Sequence, residues 1–272
     1  MRISYVDVFS TGPLSGNPVA VVHDADQLSQ HQMQSFAAWT NLSETTFLLK
    51  PTTTKADYRL RIFSPTQEFP FAGHPTLGSA AAWLAAGGAM QGTHIVQECS
   101  AGLIPIQLNK ELLSFQAPAL LDSSPLSPAH IQKIPQALGI DRDHILKIQR
   151  VDNGTGWIGV LLNDVVEVGD IKPNYELMGG LKLGVVSLLD ASDEDAMEVR
   201  AFNPSIGEDP VTGSLNAGLA QWLIDEKRVP VSYSVRQGSA LGRAGRLFIS
   251  QRADALWVGG YCSLTVSGTV RI

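Results

Sequence analysis

The sequence of 272 residues predicts an α/β protein of two similar domains, each with strands wrapped round one buried helix. Three observations lead there. First, Arg61 and Arg200, Phe63 and Phe202, Pro65 and Pro204, and Trp83 and Trp222 are each 139 positions apart. The same offset lays Thr46-Phe-Leu-Leu on Val185-Val-Ser-Leu and Pro18-Val-Ala-Val-Val on Trp157-Ile-Gly-Val-Leu. So long a period marks a duplicated unit, not a solenoid repeat. Second, the stretch from Pro75 to Ala86 and its counterpart ending near Asp225 are helical patterns with apolar residues almost all round. Such helices must be enclosed by other elements. Third, each is preceded by a strand, Tyr58 to Phe63 and Met197 to Phe202, and followed by strand-like segments that can do the enclosing.

Taken in order, Arg2 to Phe9 reads as a strand with apolar residues on both faces and Asp7 as the exception. Ser10-Thr-Gly-Pro-Leu-Ser-Gly-Asn-Pro is a loop, and Val19 to His23 a second strand. Ser29 caps a helix through Trp39, its hydroxyl satisfying an early N–H. Asn41-Leu-Ser-Glu-Thr leads into a strand over 45–50, and Tyr58 to Phe63 alternates Arg59 and Arg61 with apolar residues. The buried helix stops at Gly87-Gly88, and strands near 93–98, 103–108 and 112–116 follow. Residues 117–128 form the Pro/Ser-rich linker candidate. Ser127-Pro128 pairs an N-cap with proline at the first helical position, so a helix runs toward Leu138. The pattern then repeats: strands near 145–151, 157–162 and 184–189, the strand and turn at 200–212, the second buried helix, and closing strands. The acidic run Asp190 to Asp195 reads as a solvated loop. A last strand, Leu264 to Ile272, has no counterpart closing the first half and could cross back to that half's sheet. The expected domains are 1–117, completed by 263–272, and 118–262.

Composition narrows the function. A hydrophobic content of 44% with 17% charged residues suits a packed core. The net charge of −6, with no basic cluster among aromatics, argues against a nucleic-acid partner. No apolar run reaches the ~18 residues of a membrane helix, and residues 1–20 lack a signal-peptide pattern. The two cysteines, Cys99 and Cys262, have no metal-ligand spacing and fit a reducing compartment, so a cytoplasmic protein is expected. The six histidines show no metal-binding spacing, and no P-loop or nucleophile elbow is present. Gly154-Thr-Gly-Trp-Ile-Gly159 matches G-x-G-x-x-G in letters but runs into a strand, and reads as a turn.

What remains is a few acids and one histidine beside glycine-rich helix starts. Glu44 lies directly before an apolar strand. His74 follows Gly73 at the start of the first buried helix, and Asp209 lies in the turn before Thr212-Gly213-Ser214 at the start of the second. Each has an ordinary reading alone: a solvated acid, a cap, a turn residue. Together they mark two helix starts able to receive an anion. The 139-residue offset sets His74 opposite Gly213, which suggests a ligand cleft shared by the two domains.

Ser15-Gly-Asn-Pro, Asn41-Leu-Ser-Glu-Thr, Gly73-His-Pro-Thr-Leu-Gly and Glu208-Asp-Pro-Val-Thr-Gly-Ser, in this order, resemble the PhzF family of phenazine-biosynthesis-like isomerases. Gln237-Gly238 with Gly242-Arg243 resembles that family's late motif. The resemblance spans nearly the whole chain. It implies the diaminopimelate epimerase-like fold: two domains, each a curled mixed sheet round a central helix, the last strand returning to the first. It implies a cofactor-independent isomerase without metal, acting on a small carboxylate-bearing substrate. Glu44 would be the acid/base, with His74 and Asp209 as its polar partners. Ser43, Gly73, Thr212, Gly213 and Ser214 would bind the substrate. A homodimer is the expected assembly, with no nucleic-acid or membrane partner. Leu215 departs from the family, which places a small residue after Thr-Gly-Ser, and this raises a question about substrate size.

Two other readings compete. A two-base amino-acid racemase or epimerase of the same fold would carry a cysteine at each helix start, and residues 72–75 and 209–214 contain none. A non-catalytic small-molecule binding or scaffold protein would have no need of Glu44, His74 and Asp209 together.

Overall fold

A computed structural model describes residues 1–163, 165–253 and 255–272. The chain divides into two compact units, Met1–Gln116 with Gly259–Ile272, and Ala117–Val258. The first unit opens with β1 (Arg2–Val8) and β2 (Asn17–Val22), followed by α1 (Gln30–Thr40), β3 (Thr45–Leu49), β4 (Tyr58–Phe63) and the short β5 (Glu68–Phe69). Next come the central helix α2 (Gly73–Ala85), β6 (Ile95–Cys99), β7 (Gly102–Asn109) and β8 (Leu112–Gln116). Buried Asp7, the polar exception in β1, accepts the backbone N–H groups of Ser15 and Gly16 at 2.7 and 2.8 Å, which fixes the Ser-Gly-Asn-Pro turn.

The second unit contains α3 (Pro128–Leu138), β9 (Ile145–Arg150), β10 (Trp157–Leu162), the short α4 (Tyr175–Met178), β11 (Lys182–Leu188), β12 (Met197–Asn203) and β13 (Gly207–Asp209). Its central helix is α5 (Gly213–Asp225), and β14 (Ser232–Gln237) and β15 (Gly245–Arg252) follow. After β16 (Ala255–Gly260), the last strand β17 (Cys262–Thr269) pairs antiparallel with β1.

Strand directions show the duplication independently of residue identity. In the first unit β1–β2 is antiparallel, β2–β3 parallel, β3–β4 antiparallel, β4–β6 parallel and β6–β7 antiparallel. The pairs β9–β10, β10–β11, β11–β12, β12–β14 and β14–β15 repeat that sequence of directions. This mixed α/β architecture is the diaminopimelate epimerase-like class that the sequence pointed to. The sheets are covered on both faces, which is why β10 is buried at every position. One cover is the central helix. The other is a capped outer helix: α1 packs Met33 and Phe36 with Phe47 and Phe63, and α3 packs Ile134 and Leu138 with Ile158 and Val160. Full burial of each such side chain contributes about 1.5–3 kcal/mol. Ser29 accepts the N–H of Gln32 in a capping box, and Ser127 accepts that of His130. On α2, Gly78 lies so near the sheet that a Cβ would stand 2.3 Å from a methyl of Val19.

The structure changes the register of the duplication at one place. Arg61 binds Glu68 with two hydrogen bonds of 2.7 Å, and Arg200 binds Glu208 at 2.9 and 2.8 Å. Phe63 pairs with Glu68 and Phe202 with Glu208, so the second turn is one residue longer. The central helices therefore correspond from Gly73 and Gly213 onward. His74 stands opposite Ser214, not Gly213, and Trp83 opposite Leu223, not Trp222. The acidic run also departs from expectation at its end. Asp190 to Glu194 are exposed, but Asp195 is buried against Arg246 at 2.9 Å because the guanidinium neutralises it there.

His23 is buried with Nε2 2.9 Å from Ser4 Oγ, and its pKa is lowered, first by burial and then by the Arg2 charge. The unfolded chain, with an ordinary pKa of 6.5, binds the proton more readily than the fold. Stability is therefore undiminished above that value and falls as pH drops below it. Urea midpoints of the wild type should rise between pH 5 and pH 7, and His23→Gln should flatten the rise. An unchanged slope in the variant would assign it to other groups.

Candidate active site

The outer helices α1 and α3 carry serine caps, and the two central helices do not. Ala72, at the cap of α2, has no side-chain acceptor, and Thr212, at the cap of α5, makes no capping bond. The first intrahelical bonds are Thr76 N–H to Ala72 and Asn216 N–H to Thr212. Ahead of them, the N–H groups of Gly73 and His74, and of Gly213, Ser214 and Leu215, find no acceptor among the described residues. Each helix start thus directs unpaired donors, with the positive end of the helix dipole behind them. Gly73 is required for a packing reason too, because a Cβ there would fall 2.2 Å from the buried ring of Phe115.

In the first unit, α1 ends at Asn41 in the left-handed conformation, φ 54°, which turns Leu42-Ser43-Glu44 into β3. Glu44 Oε2 lies 2.9 Å from His74 Nδ1. Both side chains are largely withdrawn from solvent, at 18% and 6% exposure. The other ring nitrogen, His74 Nε2, is buried without a hydrogen-bond partner. An unpaired buried polar atom is costly unless a ligand satisfies it. The pair joins a carboxylate that can take a proton to an imidazole with one nitrogen unengaged.

In the second unit, Asp209 ends β13 and Thr212 donates its hydroxyl to Asp209 Oδ2 at 2.7 Å. Gln237, buried at the end of β14, organises this turn. Its Oε1 accepts from the Thr212 N–H at 3.1 Å and from Asn216 Nδ2 at 2.8 Å. Its Nε2 donates to Thr212 Oγ1 at 3.0 Å and to the Asp209 carbonyl at 3.1 Å. Both donors of Thr212 are therefore engaged within the protein, and its side chain acts on Asp209. Ser214 is held differently: Trp157 Nε1 donates to its Oγ at 3.1 Å and Asn153 Nδ2 to its carbonyl at 2.8 Å.

The structure thus brings Glu44 to His74 and Thr212 to Asp209, and sets Gly73, Gly213 and Ser214 at helix starts. Sequence reasoning found Gln237 as part of a motif without a task, and it missed Asn153, Trp157 and Asn216. Their partners lie from 4 to 61 residues away, so no local spacing announces them. Leu215, the departure from the family pattern, faces the core. Its side chain is buried in the core at the position where a Cβ on Gly184 would fall, 2.2 Å from its methyl. The cysteines are free, and burial raises both thiol pKa values, that of Cys262 up to about 12.

A model of the family described as phenazine biosynthesis-like protein, PhzC-PhzF, matches residues 6–267. The chain is 35% identical to antisense-enhancing sequence 1 of Schizosaccharomyces pombe, over 97% of this chain and 96% of that one. It is 32% identical to the trans-2,3-dihydro-3-hydroxyanthranilate isomerase of Pseudomonas aeruginosa, over 95% of each. Among solved structures, a PhzF-family phenazine biosynthesis protein from Bacillus anthracis superposes with a TM-score of 0.84 at 22% identity, over 100% of this chain and 99% of that one. A probable proline racemase from Agrobacterium radiobacter superposes at 0.59 with 11% identity, over 100% and 93%.

Proposed function

Because the chain belongs to the phenazine biosynthesis-like PhzC-PhzF family and is an isomerase, we propose that it shifts a proton within a small carboxylate-bearing substrate, with Glu44 as the acid/base. The observation that carries this reading is the contact of Glu44 with His74, whose second nitrogen is buried and unsatisfied. Glu44 takes a proton from carbon and returns it to another position of the same molecule. Removal of that proton beside a carboxylate sends negative charge onto the oxygens. Unpaired N–H groups at a helix start stabilise such charge without reorganising. His74, through Nε2, and Asp209 bind or protonate the substrate's polar groups. Ser43, Gly73, Gly213 and Ser214 hold its carboxylate, and Thr212 contributes through Asp209. Neither central helix begins with a thiol, so the two-base reading has no residues to carry it.

The test is isomerisation in heavy water. Small unsaturated carboxylates should be tried, beginning with trans-2,3-dihydro-3-hydroxyanthranilate, the compound in the name of the Pseudomonas relative. A converted compound should carry one deuterium at its new C–H position, seen by mass and proton spectra. A carboxylate that binds tightly and is recovered without exchange or rearrangement would sink the proposal in favour of a binding protein.

A further inference from the structure

We propose that Gln237 is a positioning residue of the reaction: its amide sets the Thr212 hydroxyl on Asp209 and so holds the Asp209 carboxylate in one orientation for the substrate. The inference rests on the reading that Asp209 handles the substrate's polar groups. Backbone groups fix which way round this amide lies. The Thr212 N–H can only donate, so the atom 3.1 Å from it is Oε1, and the Asp209 carbonyl can only accept, so the atom 3.1 Å from it is Nε2. Both Nε2 hydrogens are then engaged, one on that carbonyl and one on Thr212 Oγ1 at 3.0 Å. Thr212 in turn donates its hydroxyl to Asp209 Oδ2 at 2.7 Å. One buried glutamine thus holds the backbone of Asp209 directly and its side chain through a threonine.

The surrounding chain brings the turn onto this glutamine. Gly238, left-handed with φ 98°, passes so close that a Cβ would stand 2.8 Å from the Pro210 carbonyl. Gly245 pairs with Gln237 across β14 and β15 and leaves room for Val211, whose methyl would lie 2.2 Å from a Cβ. The duplication supplies a comparison. Gln97 precedes Gln237 by the 140 positions that separate Gly73 from Gly213, and Thr76 precedes Asn216 by the same number. Gln97 Nε2 donates to Thr76 Oγ1 at 3.0 Å and its Oε1 accepts from the Tyr58 hydroxyl at 3.2 Å, with all three side chains buried. Gln97 therefore ties a central helix to its sheet. Gln237 does the same through Asn216 at 2.8 Å, but directs its other bonds to the turn ahead of the helix. Packing alone gives no reason for that difference.

The test compares initial rates on trans-2,3-dihydro-3-hydroxyanthranilate. Gln237→Met should lower kcat about tenfold or more, as for a lost hydrogen bond to a charged group, with KM changed less than about twofold. Gln97→Met also strips buried hydrogen bonds, and should lower the urea midpoint while leaving kcat and KM at wild-type values. Thr212→Val should slow the reaction as Gln237→Met does, and Thr212→Ser, which keeps the hydroxyl, should restore it. The double variant of Gln237→Met with Thr212→Val should be no slower than the slower single variant. Equal kcat losses in the two glutamine variants, or losses that add in the double variant, would leave Gln237 a packing role and overturn the inference. If Gln237→Met does not fold, the Thr212 variants decide, since equal rates for valine and serine would leave the glutamine no hydroxyl to act through. Asp209→Asn separates the two levels of the reading. At full rate it removes the role of Asp209 and the inference with it, whereas a slow Asp209→Asn beside a fast Gln237→Met defeats the inference alone. The crystal structure of Gln237→Met needs no substrate: Asp209 Oδ2 should move away from Thr212 Oγ1, and a contact kept at 2.7 Å would overturn the inference.

Discussion

Glu44→Gln should lower turnover by at least the ~10²–10⁴ that general acid–base catalysis supplies, while substrate affinity changes little. Glutamine keeps the shape of glutamate, and its carbonyl can still accept from His74 Nδ1, 2.9 Å away in the wild type. It cannot take up a proton from carbon. Affinity should survive because the proposed carboxylate ligands are other groups, the N–H donors of Gly73, Gly213 and Ser214. Cys99→Ser and Cys262→Ser should run at nearly the wild-type rate. Both thiols are held protonated by burial, and serine is no substitute for a catalytic thiolate at neutral pH. The comparison needs initial rates for all three variants and a thermal melt to show each is folded. A Glu44→Gln enzyme at full rate, or a folded but inactive cysteine variant, would refute single-glutamate catalysis.

Arg200→Met should cost about 3–5 kcal/mol of stability, read from the urea midpoint. The Arg200 guanidinium binds Glu208 through two hydrogen bonds and, through Nη1, the carbonyls of Val168, Gly169 and Ile171 at 2.9, 3.3 and 2.8 Å. Only 8% of the Arg200 side chain and 9% of the Glu208 side chain reach solvent. Removal of the cation strands a buried carboxylate and three carbonyls at once. Arg61→Met should cost less, because the Arg61–Glu68 pair is 21% and 23% exposed and solvent can take over part of its role. Adding Glu208→Met to Arg200→Met should restore part of the loss, since no unpaired charge then remains. A loss below about 1 kcal/mol for Arg200→Met would mean that water reaches the site.

The two arginine pairs also show how far the sequence could be read. Arg61 with Phe63 and Arg200 with Phe202 kept their spacing because the β4 and β12 pairing leaves no room for an insertion. The turns beyond them lengthen freely, and one extra residue before Glu208 moved every later correspondence by one. Local signals were read well: the Ser29 cap, the proline after Ser127, the strand from Trp157 to Leu162. The short strands β5 and β13 were missed, because two or three residues carry no periodicity. Glu44 and His74 were legible from glycine and polar residues in apolar surroundings. The Gln237 network was not, since it joins residues 21 to 28 positions apart with no pattern between them.

The pairing of β17 with β1 governs the order in which a growing chain can be completed. The strand that finishes the first unit emerges only after all of Ala117–Val258 has been made. At ~5–20 residues per second, the unit bearing Glu44 and His74 waits on the order of ten seconds on the ribosome with an edge of β1 unoccupied. The second unit is continuous in sequence and can fold during that interval. Premature termination before Cys262 would therefore damage the earliest-made half of the protein, and nascent chains should be most vulnerable to proteases and to strand exchange at β1.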